Sequence, residues 1–395
     1  MTVSVTPLVI LLTVSLLFLG VAAYVGRLSS QHGRRVRQIP IRIHVNGTRG
    51  KSTVTRLIAA GFRESGYRTI AKTTGSASRL ILPDASEVEL QRAGAPSISE
   101  QLEIIEFAGR NGADVLVIEC MAVIPELQAV SQHSIVHGTC SVVTNARLDH
   151  QDVMGETVEE IAWSLGAVAP RGGVLVTAEQ DAALVDTLAA RAATVGARVV
   201  QADLSEAPTA EEFGRAEWPD NLALALRVCA LHGIDRETAL RGMRKAPLDP
   251  GALFSTPLPV DGCRARFVNA FAANDYTSTE QIIRQVQQAN PGGLFLLVNA
   301  RADRPRRTQD MAALLSNGFD PCAAFLIGDG ASLLERLVRR QKPGLPVVNL
   351  AGHPREVALE RIAPHLGQDA CLVGIGNIGG PAEEWCAWLA TGCDG

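Results

Sequence analysis

Apolar and polar positions along this chain follow two rhythms, and together they predict an α/β protein. Ile41, Ile43 and Val45 alternate with polar residues, which predicts a strand at Ile41–Val45; Val54, Leu57 and Ile58 then recur at helical spacing. Further strands are expected at Arg68–Ala71, Asp114–Glu119, Ser141–Thr144 and Gly173–Thr177, with helices at Ser99–Asn111 and Val158–Val168. Ala246–Gly262 holds four prolines and two glycines and reads as an interdomain linker. A second alternating series follows, with strands at Arg266–Ala270, Leu294–Asn299, Ala323–Ile327, Val347–Leu350 and Ala370–Ile375. Helices at Ser278–Gln288, Ala331–Arg340 and Pro354–Ile362 separate them. Strands alternating with helices predict mostly parallel sheets, here in two α/β domains over residues 41–250 and 251–395.

The N-terminus breaks this pattern. Pro7–Val25 is uncharged for 19 residues, about 28 Å of helix. Arg27, Arg34, Arg35 and Arg37 follow, and nothing basic precedes. A cleaved signal peptide would carry its positive charge ahead of the apolar run. The reading is a single-pass cell-membrane anchor over residues 1–26 and a basic linker over 27–40, with everything beyond on the cytoplasmic side. The rest of the composition describes a folded enzyme-sized chain: 395 residues, 47% hydrophobic and 20% charged. A net charge of −4 speaks against nucleic acid as a partner. Eight cysteines without a C-x-x-C pair indicate neither a zinc knuckle nor a disulfide framework, and read as buried free thiols in a reducing compartment.

Chemistry enters at Gly47-Thr48-Arg49-Gly50-Lys51-Ser52-Thr53, between the first strand and the first helix of the domain. Such a turn offers backbone N–H groups and a helix N-terminus to polyphosphate. Lys51 would reach the β- and γ-phosphates of a nucleoside triphosphate, and the Ser52 hydroxyl would ligate Mg²⁺. Glu119 ends an apolar strand, at the sheet edge where ligands gather, and can complete that metal site. Asn145-Ala146-Arg147-Leu148-Asp149-His150-Gln151-Asp152 again follows a strand, and Thr73-Thr74-Gly75 follows another. Trp218-Pro219-Asp220-Asn221 opens an Ala/Leu-rich helix, where Asp220 or Asn221 could equally be a helix cap. In the second domain, Asn274-Asp275-Tyr276-Thr277-Ser278-Thr279 precedes a helix that Ser278 could cap. Asn299-Ala300-Arg301-Ala302-Asp303-Arg304 ends a strand, and either arginine could stabilise charge on a transferring phosphate.

The short loop G-T-x-G-K-S-T resembles that of the Mur ligase and folylpolyglutamate synthase superfamily, which activates a carboxylate with ATP and joins it to an amine. The resemblance implies a P-loop central domain and a second, Rossmann-like α/β domain that closes over ATP. It makes Glu119 and His150 metal ligands, Thr73 a neighbour of the γ-phosphate and metal, Asn221 an adenine contact and Asp275 a ribose contact. Two departures stand out. Only the anchor and linker precede Gly47, where Mur ligases proper carry a UDP-sugar-binding domain, and no lysine lies between Thr73 and Arg244 to serve as a carbamylated metal ligand. Anchor, loop, Glu119 and Asp149-His150 together resemble the poly-γ-glutamate synthase branch, the capsule-forming amide ligases. That implies ATP and Mg²⁺ (Mn²⁺ as an alternative), glutamate and a growing poly-γ-glutamate chain as substrates, and small integral-membrane subunits for export; homo-oligomerisation is left open. The alternatives are a folylpolyglutamate-synthase-like ligase, which the anchor disfavours, or a capsule-associated membrane P-loop ATPase or kinase. A kinase of that kind would carry a C-terminal tyrosine cluster, whereas the three tyrosines here are Tyr24, Tyr67 and Tyr276.

Overall fold

The structure is a computed structural model that describes residues 6–74, 78–90, 97–214, 217–247, 254–260, 263–271, 273, 276–289, 292–317 and 319–390. Helix α1 (Thr6–Arg37) leads into strand β1 (Ile41–Asn46), the loop, and helix α2 (Lys51–Glu64). Then come β2 (Thr69–Thr73), β3 (Arg79–Ile81), β4 (Glu87–Glu89), helix α3 (Glu100–Arg110), β5 (Val115–Glu119), β6 (Cys140–Val143), β7 (Val174–Thr177) and β8 (Arg198–Gln201). These eight strands form one sheet in the order β4-β3-β2-β5-β1-β6-β7-β8. It is parallel from β2 to β8, with β3 and β4 added antiparallel at one edge.

Alternation along the central strands decides which layer each residue joins. Val115 and Val117 of β5 face the layer of α2 and the helices Pro219–Leu231 and Arg236–Lys245, while Leu116 and Ile118 face α3 and the end of α1. In β1 the apolar residues Ile43 and Val45 join the first layer. The intervening polar residues are not at a solvated face: His44 and Asn46 are buried as well. His44 Nδ1 lies 2.9 Å from Gln132 Oε1, and Asn46 Nδ2 donates to Gln128 Oε1 at 2.7 Å. Gln132 belongs to a π-helical turn, Ser131–Val136, and burial holds the His44 imidazole down to about 4.

The second sheet comprises β9 (Phe254–Pro257), β10 (Arg266–Asn269), β11 (Leu294–Asn299), β12 (Ala323–Ile327), β13 (Val347–Asn349) and β14 (Cys371–Gly376), in the order β13-β12-β11-β14-β10-β9. Only β9 is antiparallel. It arises from the segment expected to be linker, because Phe254–Pro257 pairs with β10 as an edge strand, where proline is tolerated. Trp218, at the start of the helix Pro219–Leu231, packs on the second domain's core and ties the two units together.

Helix α1 is one unbroken element of 32 residues. Its apolar side chains from Val9 to Leu28 are exposed, and it is long and apolar enough to cross a membrane. In place of the expected basic linker over 27–40, the helix continues to Arg37 and docks on α3, with Arg35 donating to Glu106 at 2.7 Å. Of the seven described cysteines, Cys120, Cys140, Cys229, Cys371 and Cys386 are buried free thiols, whereas Cys263 is half-buried and Cys322 exposed.

Candidate functional site

The loop after β1 lies at the point where the chain's strand order reverses, with β5 on one side of β1 and β6 on the other. Two glycines make its shape possible. Gly47 has φ 130° and Gly50 φ 81°, and a Cβ on Gly47 would fall 2.0 Å from Thr144 Oγ1. The loop is held from β6: Thr48 N–H donates to Asn145 O at 3.0 Å, Arg49 N–H to Asn145 Oδ1 at 3.0 Å, and Thr144 Oγ1 to Arg49 O at 2.5 Å. The first bond of α2 runs from Val54 N–H to Gly50 O, so the N–H groups of Lys51, Ser52 and Thr53 precede the helical ladder and face the loop's mouth.

Three groups converge there from three strands. Glu119 Oε2, at the end of β5, accepts from Ser52 Oγ at 2.8 Å and from Thr74 N–H, just past β2, at 2.7 Å. Lys51 folds back over the loop, donating to Gly47 O at 2.7 Å and Thr48 O at 3.3 Å. Burial lowers its ammonium pKa, and the Glu119 carboxylate opposes that. An open cleft of about 290 Å³ runs from the loop past Glu119, Cys120 and Met121 to Asp149, His150 and Met154. Burial raises the Cys120 thiol to about 11, so it is an inert part of the wall. His150 sits at φ 48° before the short helix Gln151–Met154, and Asp149 pairs with Arg49 at 3.3 Å.

These residues suit magnesium and a triphosphate. Mg²⁺ takes few protein oxygens and leaves its other positions to water and phosphate. The Ser52 and Glu119 oxygens meeting beside a helix N-terminus match that, and among the described residues no three His, Cys, Asp or Glu side chains form a metal cage.

Residues 45–217 match the Mur ligase middle domain, and residues 256–392 match the poly-gamma-glutamate synthase CapB C-terminal domain. The capsule biosynthesis protein CapB of Bacillus anthracis is 37% identical over 361 residues, covering 89% of this chain and 77% of that protein. PGA synthase CapB of Bacillus subtilis (strain 168) is 35% identical over 361 residues, covering 89% of this chain and 91% of that one. The chain belongs to the CapB family of poly-γ-glutamate synthases. Solved structures agree on the fold. A folylpolyglutamate synthase from Thermotoga maritima superposes with a TM-score of 0.65 at 15% identity, over 96% of this chain and 98% of that one. A bifunctional folylpolyglutamate synthase/dihydrofolate synthase with Mn, AMPPNP and L-glutamate bound does so with a TM-score of 0.66 at 17% identity, over 92% and 93%.

Within this CapB-family fold the predicted residues separate into groups. Gly47 to Thr53, Glu119 and His150 gather at one sheet edge. Thr73 does not line the cleft. As the last residue of β2 its side chain is buried with Oγ1 unpartnered, and it is the next residue, Thr74, whose N–H reaches Glu119. Asn221 approaches the loop from the other side: its Oδ1 would lie 2.5 Å from a Cβ on Gly50, and its Nδ2 donates to Glu217 Oε1 at 3.0 Å. Neither Asp220 nor Asn221 caps that helix, which starts after Trp218 with no side-chain cap. Burial raises the Asp220 carboxyl beside them. Arg301 and Arg304 stand apart from the cleft, at the C-terminal edge of the second sheet, both on Asp303: Arg301 Nη2 at 2.8 Å and Arg304 Nε at 3.8 Å. Asp275 and Asn274 lie outside the described residues, and the helix expected to be capped by Ser278 begins earlier, at Tyr276. Sequence reasoning missed Thr144, Asn145 and Thr74 as holders of the loop and of Glu119. Asn145 and Thr74 were visible as members of the Asp-His and Thr-Thr-Gly stretches, while Thr144 carries no pattern.

Proposed function

We propose that this chain is an ATP-dependent, ADP-forming amide ligase that polymerises glutamate through γ-linked amide bonds, anchored in the cell membrane by α1 with both domains on the cytoplasmic side. The observation that carries this reading is the convergence of Ser52 and Thr74 on Glu119 beside Lys51, in a chain of the CapB family. ATP would lie with its phosphates over the N–H groups of Lys51, Ser52 and Thr53, and Lys51 would exchange the Gly47 and Thr48 carbonyls for phosphate oxygens. Mg²⁺ held by Ser52 and Glu119, with His150 and Thr74 nearby, would neutralise charge on the transferring phosphate; Mn²⁺ fits the same oxygens.

The reaction then has two steps. A glutamate carboxylate oxygen attacks the γ-phosphorus, and the bond to the ADP oxygen breaks with its electron pair, giving an acyl phosphate. The amine of a second glutamate attacks the carbonyl carbon, phosphate departs with the C–O electron pair, and the ammonium proton is lost to solvent or phosphate. An acyl phosphate is readily lost to water, so the second domain must close to exclude it, bringing Arg301 or Arg304 toward the phosphoryl group. Asn221 takes the adenine side of the loop and Asp275 the ribose. A polymer made at the inner face needs export, which calls for small integral-membrane partners. Membranes carrying the chain test all of this: glutamate-dependent release of ADP and phosphate, with label from glutamate entering a γ-linked polymer, is expected. Turnover indifferent to glutamate, or phosphate appearing on tyrosine, would sink the ligase reading.

A further inference from the structure

The last turns of α1 present two chemically different faces. One is docked: His32 Nε2 lies 2.7 Å from Ile135 O, Arg35 pairs with Glu106, and Val36 and, just beyond the helix, Ile39 are buried. Arg42 of β1 closes this joint, donating to His137 O at 2.9 Å, to Val36 O at 3.3 Å and to Ile39 O. The other face is free. Ser29, Ser30, Gly33, Arg34 and Arg37 line an open cleft of about 380 Å³. The Arg37 guanidinium lies over Gly33, 3.6 Å from where a Cβ would stand, so the missing side chain gives the cleft its floor. Arg34 and Arg37 are exposed, and among the described residues neither has an ion-pair partner. At this joint Arg35 and Arg42 are instead held by protein oxygens, which leaves Arg34 and Arg37 as its solvent-facing cations.

Depth along the helix indicates what these cations meet. Val9–Leu28, exposed and apolar except for Arg27 at its end, where a long side chain can snorkel to the interface, spans about 30 Å of helix, the thickness of a hydrocarbon core. Arg34 and Arg37 then lie roughly 9 and 13 Å further along the axis. Long side chains at that depth reach back to the headgroup layer. The cleft also continues an apolar row: Val21 and Val25 precede Ser29 at intervals of four residues, a row that winds about 40° per step around the helix, and both valines are exposed. A ligand with acyl chains would lay them along that row, which a soluble phosphate could not use.

We propose that this cleft binds the phosphate of an anionic phospholipid, paired with Arg34 and Arg37 and hydrogen-bonded by Ser29 and Ser30. Because the opposite helix face is fixed to α3 and the π-helical turn, the bound lipid also sets how the catalytic domains face the membrane. The proposal rests on α1 spanning the bilayer. It is tested with the full chain in phosphatidylcholine vesicles containing a minority of phosphatidylglycerol, using photoactivatable forms of each lipid and mapping the labelled peptides. Phosphatidylglycerol is expected to label residues 21–37 several-fold more than phosphatidylcholine. Arg34→Gln with Arg37→Gln should bring labelling by the two lipids to near equality, Arg110→Gln on α3 should not change the preference, and the lysine pair should retain most of it. If the double glutamine variant fails to insert, Ser29→Ala with Ser30→Ala serves instead, with a loss of roughly threefold. Equal labelling by both lipids in a chain that resists alkaline extraction would overturn the lipid site alone. Release by alkaline extraction would overturn the membrane reading with it, and abolition by inorganic phosphate would make the cleft a site for soluble anions.

Discussion

The two domains place arginine- or lysine-bearing turns at the C-terminal edges of two parallel sheets, yet the edges are built differently. At the first, the groups are tied across separate elements: Ser52 and Thr74 to Glu119, the loop to Thr144 and Asn145, Asn221 against Gly50. At the second, Arg301 is half-buried and Arg304 exposed, and both are paired with Asp303 two and one residues away. Local pairing costs little to break, because an exposed ion pair contributes only about 0–1 kcal/mol. On the proposed reading the first edge receives ATP and benefits from donors already in place, whereas the second acts only after closure and benefits from cations that can change partner.

Four experiments would break or sharpen this contrast. Lys51→Ala removes the one ammonium that lines the cleft among the described residues and should lower turnover by about 10²–10³-fold, read as phosphate release. Glu119→Gln should cost about 10²-fold and raise the Mg²⁺ concentration needed, because the oxygen shared by Ser52 and Thr74 loses its charge. If Mg²⁺ dependence were unchanged, the metal assignment would fall. The third concerns the buried polar layer beneath the loop. His44 is neutral in the folded chain down to about pH 4, whereas an unfolded histidine protonates near 6.5. The unfolded state therefore binds the extra proton first: stability is full above about pH 6.5 and declines by about 3 kcal/mol as pH falls toward 4. His44→Gln should flatten that part of the curve in urea titrations, and an unchanged slope would show that other groups dominate. The smallest effect is expected at the second edge. Arg301→Ala should reduce turnover by about tenfold while leaving ATP affinity and thermal midpoint unchanged. A fall in ATP affinity of the same size would mean that the second edge is assembled before closure.

The turn at 47–53 was legible because its signals are local: glycines that take positive φ and the helix that opens at Lys51 follow one another along the chain. Glu119 was legible for a related reason, since a carboxylate ending an apolar strand reaches the sheet edge whatever surrounds it. Thr73 was misplaced by one residue, because which of two consecutive threonines faces a cleft depends on where β2 leaves the sheet. The strand β1 shows the same limit. Its alternation announced a strand with one polar face, but the polar residues His44 and Asn46 are covered by Gln132 and Gln128, which come from more than eighty residues away. The edge strand β9 was hidden by Pro257 and its proline-rich surroundings, since pairing with β10 is a long-range event.

By itself, then, the sequence determined the periodicities that make two mostly parallel sheets, the glycine-rich turn before α2, and an apolar helix of membrane length, because each depends on neighbours within a few residues. Tertiary structure alone decided that Ser52 and Thr74 share one Glu119 oxygen, that Arg301 and Arg304 stand away from the cleft, and that the basic segment after the apolar stretch is a docked helix with one free face. Those outcomes depend on which strands become adjacent, and adjacency between distant segments is set by packing the whole domain rather than by any local pattern.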